Sequence, residues 1–164
     1  MTHRVLGIDP GLASTGWGIV DSHNSRLIYV DHGTVTTPAG MSPHLRLLQL
    51  EREINSILEA YTPEAMGIET LYFAKNISSA LPVAQARGVI LLAAARKGLA
   101  VGEYSPAVIK QSVVGAGQAD KAQIQNMICL ILGLQETPKP DHAADALAAA
   151  VTFIHYGSST VGAL

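Results

Sequence analysis

The stretch RVLGIDPG, residues 4–11, decides the fold class of this chain. Its apolar run is typical of a buried strand, and the Pro-Gly pair ends that strand directly after Asp9. A second strand is predicted over residues 15–21 and a third over Arg26–Thr36, with a short polar turn between them. Because short connections place sequential strands side by side, the three strands should form an antiparallel meander.

Beyond the meander, predicted helices and strands alternate along the chain. Two further strands are predicted, Ala65–Glu69 and Ala100–Tyr104. The predicted helices cover Pro43–Tyr61, 76–97, Pro106–Val114, 120–132 and Asp141–Tyr156. This order predicts an α/β fold in which a five-stranded mixed sheet, the antiparallel meander plus the two further strands, is flanked by helices. We expect one domain over residues 1–156 and a flexible C-terminal tail over residues 157–164.

Two residues, Pro82 and Asp141, each set a condition on where these helices begin. Pro82 is compatible with the helix 76–97 only if it lies in the first turn, because an interior proline removes a backbone hydrogen bond. Asp141 fits an ordinary N-cap of the last helix, and it is also a candidate functional acid.

Composition indicates a folded protein and at first argues against nucleic-acid binding. Of 164 residues, 48% are hydrophobic and 15% are charged, which excludes a disordered chain. The 11 basic and 13 acidic residues give a net charge of −2, whereas nucleic-acid binders usually carry a basic surplus. The longest apolar stretches are about eight residues, shorter than a membrane span. With a single cysteine, these features predict a cytoplasmic protein that does not associate with membranes.

Acids at strand ends and on the last helix are the candidate catalytic groups. Asp9 ends the first strand and Glu69 the fourth, and burying an unpaired carboxylate is costly, although either acid could simply form a turn. On the last helix, His142 and Asp145 are three residues apart, and Asp141 and Asp145 are four apart. Either pair therefore shares one helix face. Such a donor set suits Mg²⁺ or Mn²⁺, and two ions per site would support phosphodiester cleavage.

The loop after Glu69 has the composition of a nucleic-acid contact. Tyr72 and Phe73 could stack on unpaired bases while Lys75 and the neighbouring Asn76 contact the backbone, although one aromatic ring could instead anchor the loop on the core. Further candidates for phosphate contacts, each of which could equally be a solvated surface cation, are Arg87, Lys110 and Lys121.

Five motifs, in this order, resemble the RuvC-type Holliday junction resolvases over nearly the whole chain, from about Arg4 to Ile154. They are Gly7-Ile8-Asp9-Pro10-Gly11 with Gly16-Trp17-Gly18, Ile68-Glu69 with Phe73-Ala74-Lys75-Asn76, Gln85-Ala86-Arg87-Gly88, Lys110-Gln111-Ser112-Val113-Val114-Gly115, and Ala143-Ala144-Asp145-Ala146-Leu147-Ala148. The resemblance implies an RNase H-like fold. It also implies a Mg²⁺- or Mn²⁺-dependent endonuclease that cuts four-way DNA junctions by paired symmetric nicks, leaving 5′-phosphate and 3′-hydroxyl ends, in recombination and repair.

By motif position, the resemblance assigns site residues in this chain. The family's catalytic metal-site residues fall on Asp9, Glu69, His142 and Asp145. Its stacking aromatic falls on Tyr72 or Phe73, and its functional lysines fall on Lys110 and Lys121.

One position departs from the pattern of many members, which have Asp-Ala-Ala-Asp where this chain has His142-Ala-Ala-Asp145. Asp141 remains the alternative third ligand, but we favour His142 because it holds the motif position without a shift in register. An imidazole brings no negative charge, so we expect this site to favour Mn²⁺ more than an all-carboxylate site would.

The resemblance also implies partners. These are four-way junction DNA, a second copy of the chain, and a branch-migration complex of a junction-binding tetramer and a hexameric motor ATPase. Two symmetric cuts need two sites related by a two-fold axis, which a homodimer supplies. The predicted interface, unless that surface is buried on its own sheet, comprises Ala84, Gly88, Leu91, Leu92 and Ala95. A non-catalytic junction-binding protein and a different RNase H-like nuclease remain the alternatives.

The candidate site acids change the meaning of the net charge. Without Asp9, Glu69, Asp141 and Asp145, nine acids remain against 11 basic residues. Two divalent ions bound at the site would change the charge of the chain from −2 to +2. The acidic balance therefore does not exclude nucleic acid, and it predicts a modest salt dependence of DNA binding.

Overall fold

A computed structural model describes residues 2–70 and 77–157 of the protein. Its elements are β1 Thr2–Asp9, β2 Ser14–His23, β3 Arg26–Thr36, α1 Pro43–Tyr61, β4 Ala65–Glu69, α2 Ile77–Arg96, β5 Ala100–Tyr104, α3 Pro106–Val114, α4 Lys121–Leu132 and α5 Asp141–Tyr156.

The five strands form one mixed sheet in the order β3-β2-β1-β4-β5. The meander β1–β2–β3 is antiparallel, while β4 lies parallel to β1 and β5 lies parallel to β4. Ile8 pairs with Ile68, so the next residues, Asp9 and Glu69, lie at neighbouring strand ends. The predicted five-stranded mixed sheet is confirmed, and its parallel centre brings the two strand-terminal acids to one edge.

Helices cover both faces of the sheet. Val5 packs in a cluster with residues of α3, α4 and α5, whereas Leu6 and Ile8 pack with residues of α1 and α2 on the opposite face. Because successive strand residues point to opposite faces, the continuous apolar run of β1 supplies both clusters. The same alternation places Asp9 on the face that α5 covers.

The helix α5 lies unusually close to the sheet. Its residues Ala143, Ala144 and Ala146 to Thr152 are buried. A Cβ added to Gly16 of β2 would overlap the carbonyl oxygen of His142, and one added to Gly7 of β1 would overlap that of Ala146. On β4, a Cβ at Gly67 would overlap the carbonyl oxygen of Ala149. The helix therefore crosses three strands at glycines.

Most predicted boundaries are confirmed, but two expectations about local helix structure are wrong. Pro82 is the sixth residue of Ile77–Arg96, beyond the first turn. Pro82 cannot donate a backbone hydrogen bond, yet the helix continues beyond it. Ala86 and Ile90, which follow Pro82, pack in the core and stabilise this part of the helix. Asp141 is the first helical residue, and Pro140 holds the N-cap position instead.

The longest uninterrupted apolar stretches are about eight residues, but one longer segment is apolar on average. By length and composition alone, Ser78–Arg96 is long and apolar enough to cross a membrane. Leucine, isoleucine and valine residues on both sides of Gln85 and Arg87, together with alanines, produce this apolar average. Core helices of water-soluble proteins meet the same criterion, and one face of α2 is buried here on α1 and the sheet.

Replacing Gly7 with alanine tests the close approach of α5. The new methyl group would push against the Ala146 carbonyl, which is backbone and cannot rotate away. We expect Gly7→Ala to lower the free energy of unfolding by at least about 2 kcal/mol in urea denaturation.

The matched control is Gly40→Ala, because a Cβ at Gly40 meets nothing within 4 Å. Its stability should stay within about 1 kcal/mol of the parent. Equal stability of both variants would show that α5 does not depend on this contact.

Candidate metal centre

Three side chains that could ligate a metal converge where β1 ends beneath the first turn of α5. Asp9, His142 and Asp145 each offer one ligand atom, and these atoms lie within 4.8 Å of one another. Nδ1 of His142 lies 2.7 Å from Oδ2 of Asp9, a hydrogen-bond distance. The contact between Gly16 and the backbone of His142 sets the height of this turn above the sheet.

Glu69 borders this cluster from the neighbouring strand. It lines one cavity with Asp9 and another with Asp145. Burial, followed by repulsion from Asp9 and Asp145, raises the pKa of Glu69 to about 7, while Lys110 partly opposes the shift. The Glu69 carboxyl therefore changes its protonation state near neutral pH in the metal-free protein.

The other two acids are also destabilised as carboxylates. Burial is the main cause that raises the pKa of Asp9, opposed by the hydrogen bond from His142 and reinforced by repulsion from Asp145. Burial likewise raises the pKa of Asp145, with Lys121 opposing the shift. Three partly buried carboxyls that disfavour their own ionisation fit a divalent cation, which would offset both burial and mutual repulsion. Carboxylate oxygens with one imidazole nitrogen suit Mg²⁺ or Mn²⁺.

Asp141 points to a different partner. Its Oδ2 lies 3.1 Å from Nζ of Lys121, and its Oδ1 accepts a hydrogen bond from Nε2 of Gln125 at 3.3 Å. Of the two candidates for third ligand, His142 rather than Asp141 lies beside Asp9. Gln125 was not among the residues predicted from the sequence, although its position four residues after Lys121 puts both on one face of α4.

The residues predicted to contact nucleic acid do not all lie at the candidate metal centre. Lys110 and Lys121 line a cavity of about 230 Å³ that also contains Glu69 and Asp145. Arg87 instead forms an ion pair with Glu103 of β5, which makes it a link between α2 and the sheet. The remaining candidates lie outside the described residues: Tyr72, Phe73, Lys75 and Asn76.

Most of the chain matches proteins of one family. A family model described as crossover junction endodeoxyribonuclease RuvC matches residues 5–153. The chain belongs to the RuvC family. RuvC from Treponema denticola is 52% identical over 153 residues, which cover 93% of this chain and 86% of that protein. RuvC from Chloroflexus aurantiacus is 53% identical over 148 residues, 90% of each chain.

Solved RuvC structures share the architecture. The Thermus thermophilus RuvC structure has a TM-score of 0.87 at 32% identity, covering 96% of this chain and 98% of that chain. T. thermophilus RuvC in complex with Holliday junction substrate has a TM-score of 0.89 at 33% identity, covering 95% of each. Both confirm the expected RNase H-like fold class and the family resemblance. The yeast mitochondrial Holliday junction resolvase Ydc2, at 14% identity and a TM-score of 0.67, covering 93% of this chain and 79% of that chain, shares the fold.

The raised pKa of Glu69 predicts the pH dependence of stability in this RuvC family member. Between about pH 4.5 and 7 the unfolded chain loses the Glu69 proton while the folded protein keeps it. Stability of the metal-free protein should therefore fall as pH rises through this window. Glu69→Gln removes the titration and should raise the free energy of unfolding at pH 8, with chelator present, by about 1–3 kcal/mol.

Glu53→Gln, which changes an exposed acid on α1, is the matched control and should follow the parent curve. Denaturant unfolding at several pH values measures all three proteins. A Glu69→Gln protein that is less stable than the parent at pH 8 would contradict the assigned burial and repulsion.

Proposed function

We propose that this protein is an endonuclease that resolves four-way DNA junctions by paired symmetric nicks, in recombination and repair. The observation that carries the proposal is the convergence of Asp9, His142 and Asp145, bordered by Glu69, in a chain of the RuvC family. The junction-bound T. thermophilus RuvC, which matches 95% of this chain, supports four-way junction DNA as the substrate.

The proposed chemistry is hydrolysis of a phosphodiester that leaves 5′-phosphate and 3′-hydroxyl ends. Two divalent ions, when bound, would acidify a water molecule and offset the negative charge that develops on the phosphate. Asp9 contacts His142 and lines a cavity with Glu69, so its carboxylate could be shared by both ions. Glu69 would complete one position, and His142 with Asp145 would complete the other. The hydrogen bond between His142 and Asp9 already orients the imidazole toward the shared carboxylate.

The proposed DNA contacts surround this centre. Lys110 and Lys121 border the cavity that leads to Glu69 and Asp145, where each could contact a phosphate. The segment after Glu69 follows the site directly in sequence, so its aromatic rings could stack on bases opened at the junction centre. These residues are Tyr72 and Phe73, with Lys75 and Asn76 beside them.

The wider setting proposed for the enzyme follows from the family. It would work in the cytoplasm, with a branch-migration complex of a junction-binding tetramer and a hexameric motor ATPase. The proposed nuclease domain covers residues 1–156, and residues 158–164 of the predicted tail lie outside the described residues.

Asp9→Asn tests the assignment of the metal site. The amide keeps the shape of the side chain but removes the charge that both ions would share. We expect cleavage of a synthetic four-way junction in Mg²⁺ or Mn²⁺ to fall by at least about 100-fold, while binding of the junction, measured without cleavage in Ca²⁺, stays within about threefold.

Glu53 is an exposed acid on α1 that is not part of the candidate metal centre, so Glu53→Gln should cleave like the parent. A linear duplex should remain uncut by every variant. Junction binding without metal-dependent nicking in the parent protein would instead favour a non-catalytic junction-binding protein. Cutting of the duplex as readily as the junction would favour a different RNase H-like nuclease.

His142→Asp tests the expected preference for Mn²⁺. An aspartate adds a negative oxygen donor where the parent has a neutral nitrogen, which suits Mg²⁺ better. The ratio of the cleavage rate in Mg²⁺ to that in Mn²⁺ should rise by about threefold or more. An unchanged ratio at saturating metal would remove His142 from the proposed ligand set.

The homodimer proposal is supported by the surface of α2. Ala86, Ile90 and Ala93 of this helix are buried in their own subunit. On another face, Leu81 is 57% exposed and Leu92 is 51% exposed, with Gly88 and Ala95 exposed between and beyond them. A dimer that covers this apolar face would place two metal centres around a two-fold axis.

Leu92→Glu should weaken that dimer. A charge at the centre of an apolar interface is costly, so sedimentation velocity at about 10 μM should show a shift from dimer toward monomer. Leu130→Glu is the matched control, because Leu130 on α4 is 76% exposed and belongs to another surface. A parent protein that sediments as a monomer at this concentration would refute the dimer.

A further inference from the structure

Lys121 lies between two acids that have different roles. Its Nζ lies 3.1 Å from Oδ2 of Asp141 and 3.7 Å from Oδ2 of Asp145. Asp145 belongs to the tight cluster with Asp9 and His142, whereas Asp141 is not part of it. The ammonium group therefore joins the candidate metal centre to a carboxylate outside that centre.

The start of α4 holds this arrangement in place. Lys121 is the first residue of the helix, and the preceding Asp120 forms a capping box with Gln123. One turn later Gln125 donates to the same Asp141 carboxylate that Lys121 contacts. Asp141 is thus bound by two side chains from one face of α4, which fixes it in place although its side chain is 62% exposed.

In the metal-free site, Lys121 supplies positive charge close to the acidic cluster. The three partly buried carboxyls of Asp9, Glu69 and Asp145 repel one another when they are ionised. Lys121 is among the groups that oppose this effect at both Asp9 and Asp145. Because Nζ of Lys121 lies 3.7 Å from Oδ2 of Asp145, a divalent ion that binds this carboxylate would compete with the ammonium group.

We propose that Lys121 is a built-in cation that competes with divalent metal for Asp145, and that Asp141 is the positioning residue that retains Lys121 when metal displaces it. The proposal rests on the proposed metal site and names how that site is regulated. A lysine held only by Asp145 would be released into solvent when metal binds. Held also by Asp141, it stays at the rim of the cavity, where its ammonium group can contact a phosphate of the substrate.

Metal titration of the free protein tests this proposal without any cleavage. Calorimetry with Mn²⁺ compares the parent with Lys121→Gln, Asp141→Asn and the double variant. Lys121→Gln removes the competitor, so Mn²⁺ should bind about 3- to 10-fold tighter. In Asp141→Asn, Lys121 has Asp145 as its remaining partner, so Mn²⁺ should bind about 2- to 5-fold more weakly.

The double variant separates positioning from ligation. If Asp141 acts through Lys121, adding Asp141→Asn to Lys121→Gln should change the Mn²⁺ affinity by less than about 1.5-fold. If Asp141 were a metal ligand, the loss would persist without Lys121. Repeating the titration at about 0.3 M KCl weakens the long-range charge effect of an exposed acid more than it weakens the effect of a direct contact.

The rate of four-way junction cleavage, measured for the same single and double variants, gives a second and independent double-mutant cycle. Asp141→Asn should lower the single-turnover rate in the parent background and leave it unchanged in the Lys121→Gln background. Thermal unfolding with chelator present checks that all variants fold, as expected for side chains that are about half exposed or more.

The outcomes distinguish this inference from the proposed function. If the parent binds Mn²⁺ and Asp9→Asn does not, the metal site stands. Equal Mn²⁺ affinity of Lys121→Gln and the parent would then overturn the competition alone. An Asp141→Asn effect that is the same with and without Lys121 would overturn the positioning role. A parent that binds no Mn²⁺ would overturn both the metal site and the inference.

Discussion

The structure depends on how closely α5 approaches the sheet. Where this helix crosses β2, β1 and β4, its backbone carbonyls occupy the space that a Cβ would need at Gly16, Gly7 and Gly67. Small residues on both sides of the contact bring two backbones together, and the alanines of α5 leave few protruding side chains between them. This contact determines the position of the first turn of α5, and with it the distance from His142 and Asp145 to the end of β1.

The metal centre follows from that contact and from the parallel pairing of β1 with β4. Alternation along each strand puts Gly7 and Asp9 of β1 on the face beneath α5, and likewise Gly67 and Glu69 of β4. On each strand the glycine leaves room for α5, and the acid two residues later lies near the first turn of α5. The same geometry has a cost in stability, because carboxyls brought together in a partly buried site repel one another. The fold therefore tolerates a strained electrostatic arrangement that a cation would relieve.

The cations beside the metal centre say more about whether the protein can bind DNA than the net charge of the chain does. Lys110 and Lys121 border the cavity that contains Glu69 and Asp145, and Lys121 is shared between an acid of the centre and an acid outside it. A chain with a net charge of −2 can therefore present cations next to its metal centre. Placed charges of this kind act at short range, where salt screens them less than it screens a diffuse basic surface.

The amino-acid pattern alone was sufficient for the strands and for most helix boundaries, because period-two and helical spacing, Pro-Gly breaks and N-cap residues are local signals. It also placed Asp9 and Glu69 at strand ends and Asp145 on the last helix, where the structure has them, and their roles as metal ligands stay predictions. It could not decide between His142 and Asp141, since neighbouring residues on a helix point about 100° apart and only packing on the sheet selects the one that meets Asp9. Three further findings depend on tertiary contacts. Arg87 forms an ion pair with Glu103, and α2 continues beyond Pro82. One face of α2 is buried, whereas its residues Leu81 and Leu92 are exposed. Each of these outcomes depends on residues distant in sequence, whose approach is decided by the packing of helices on the sheet.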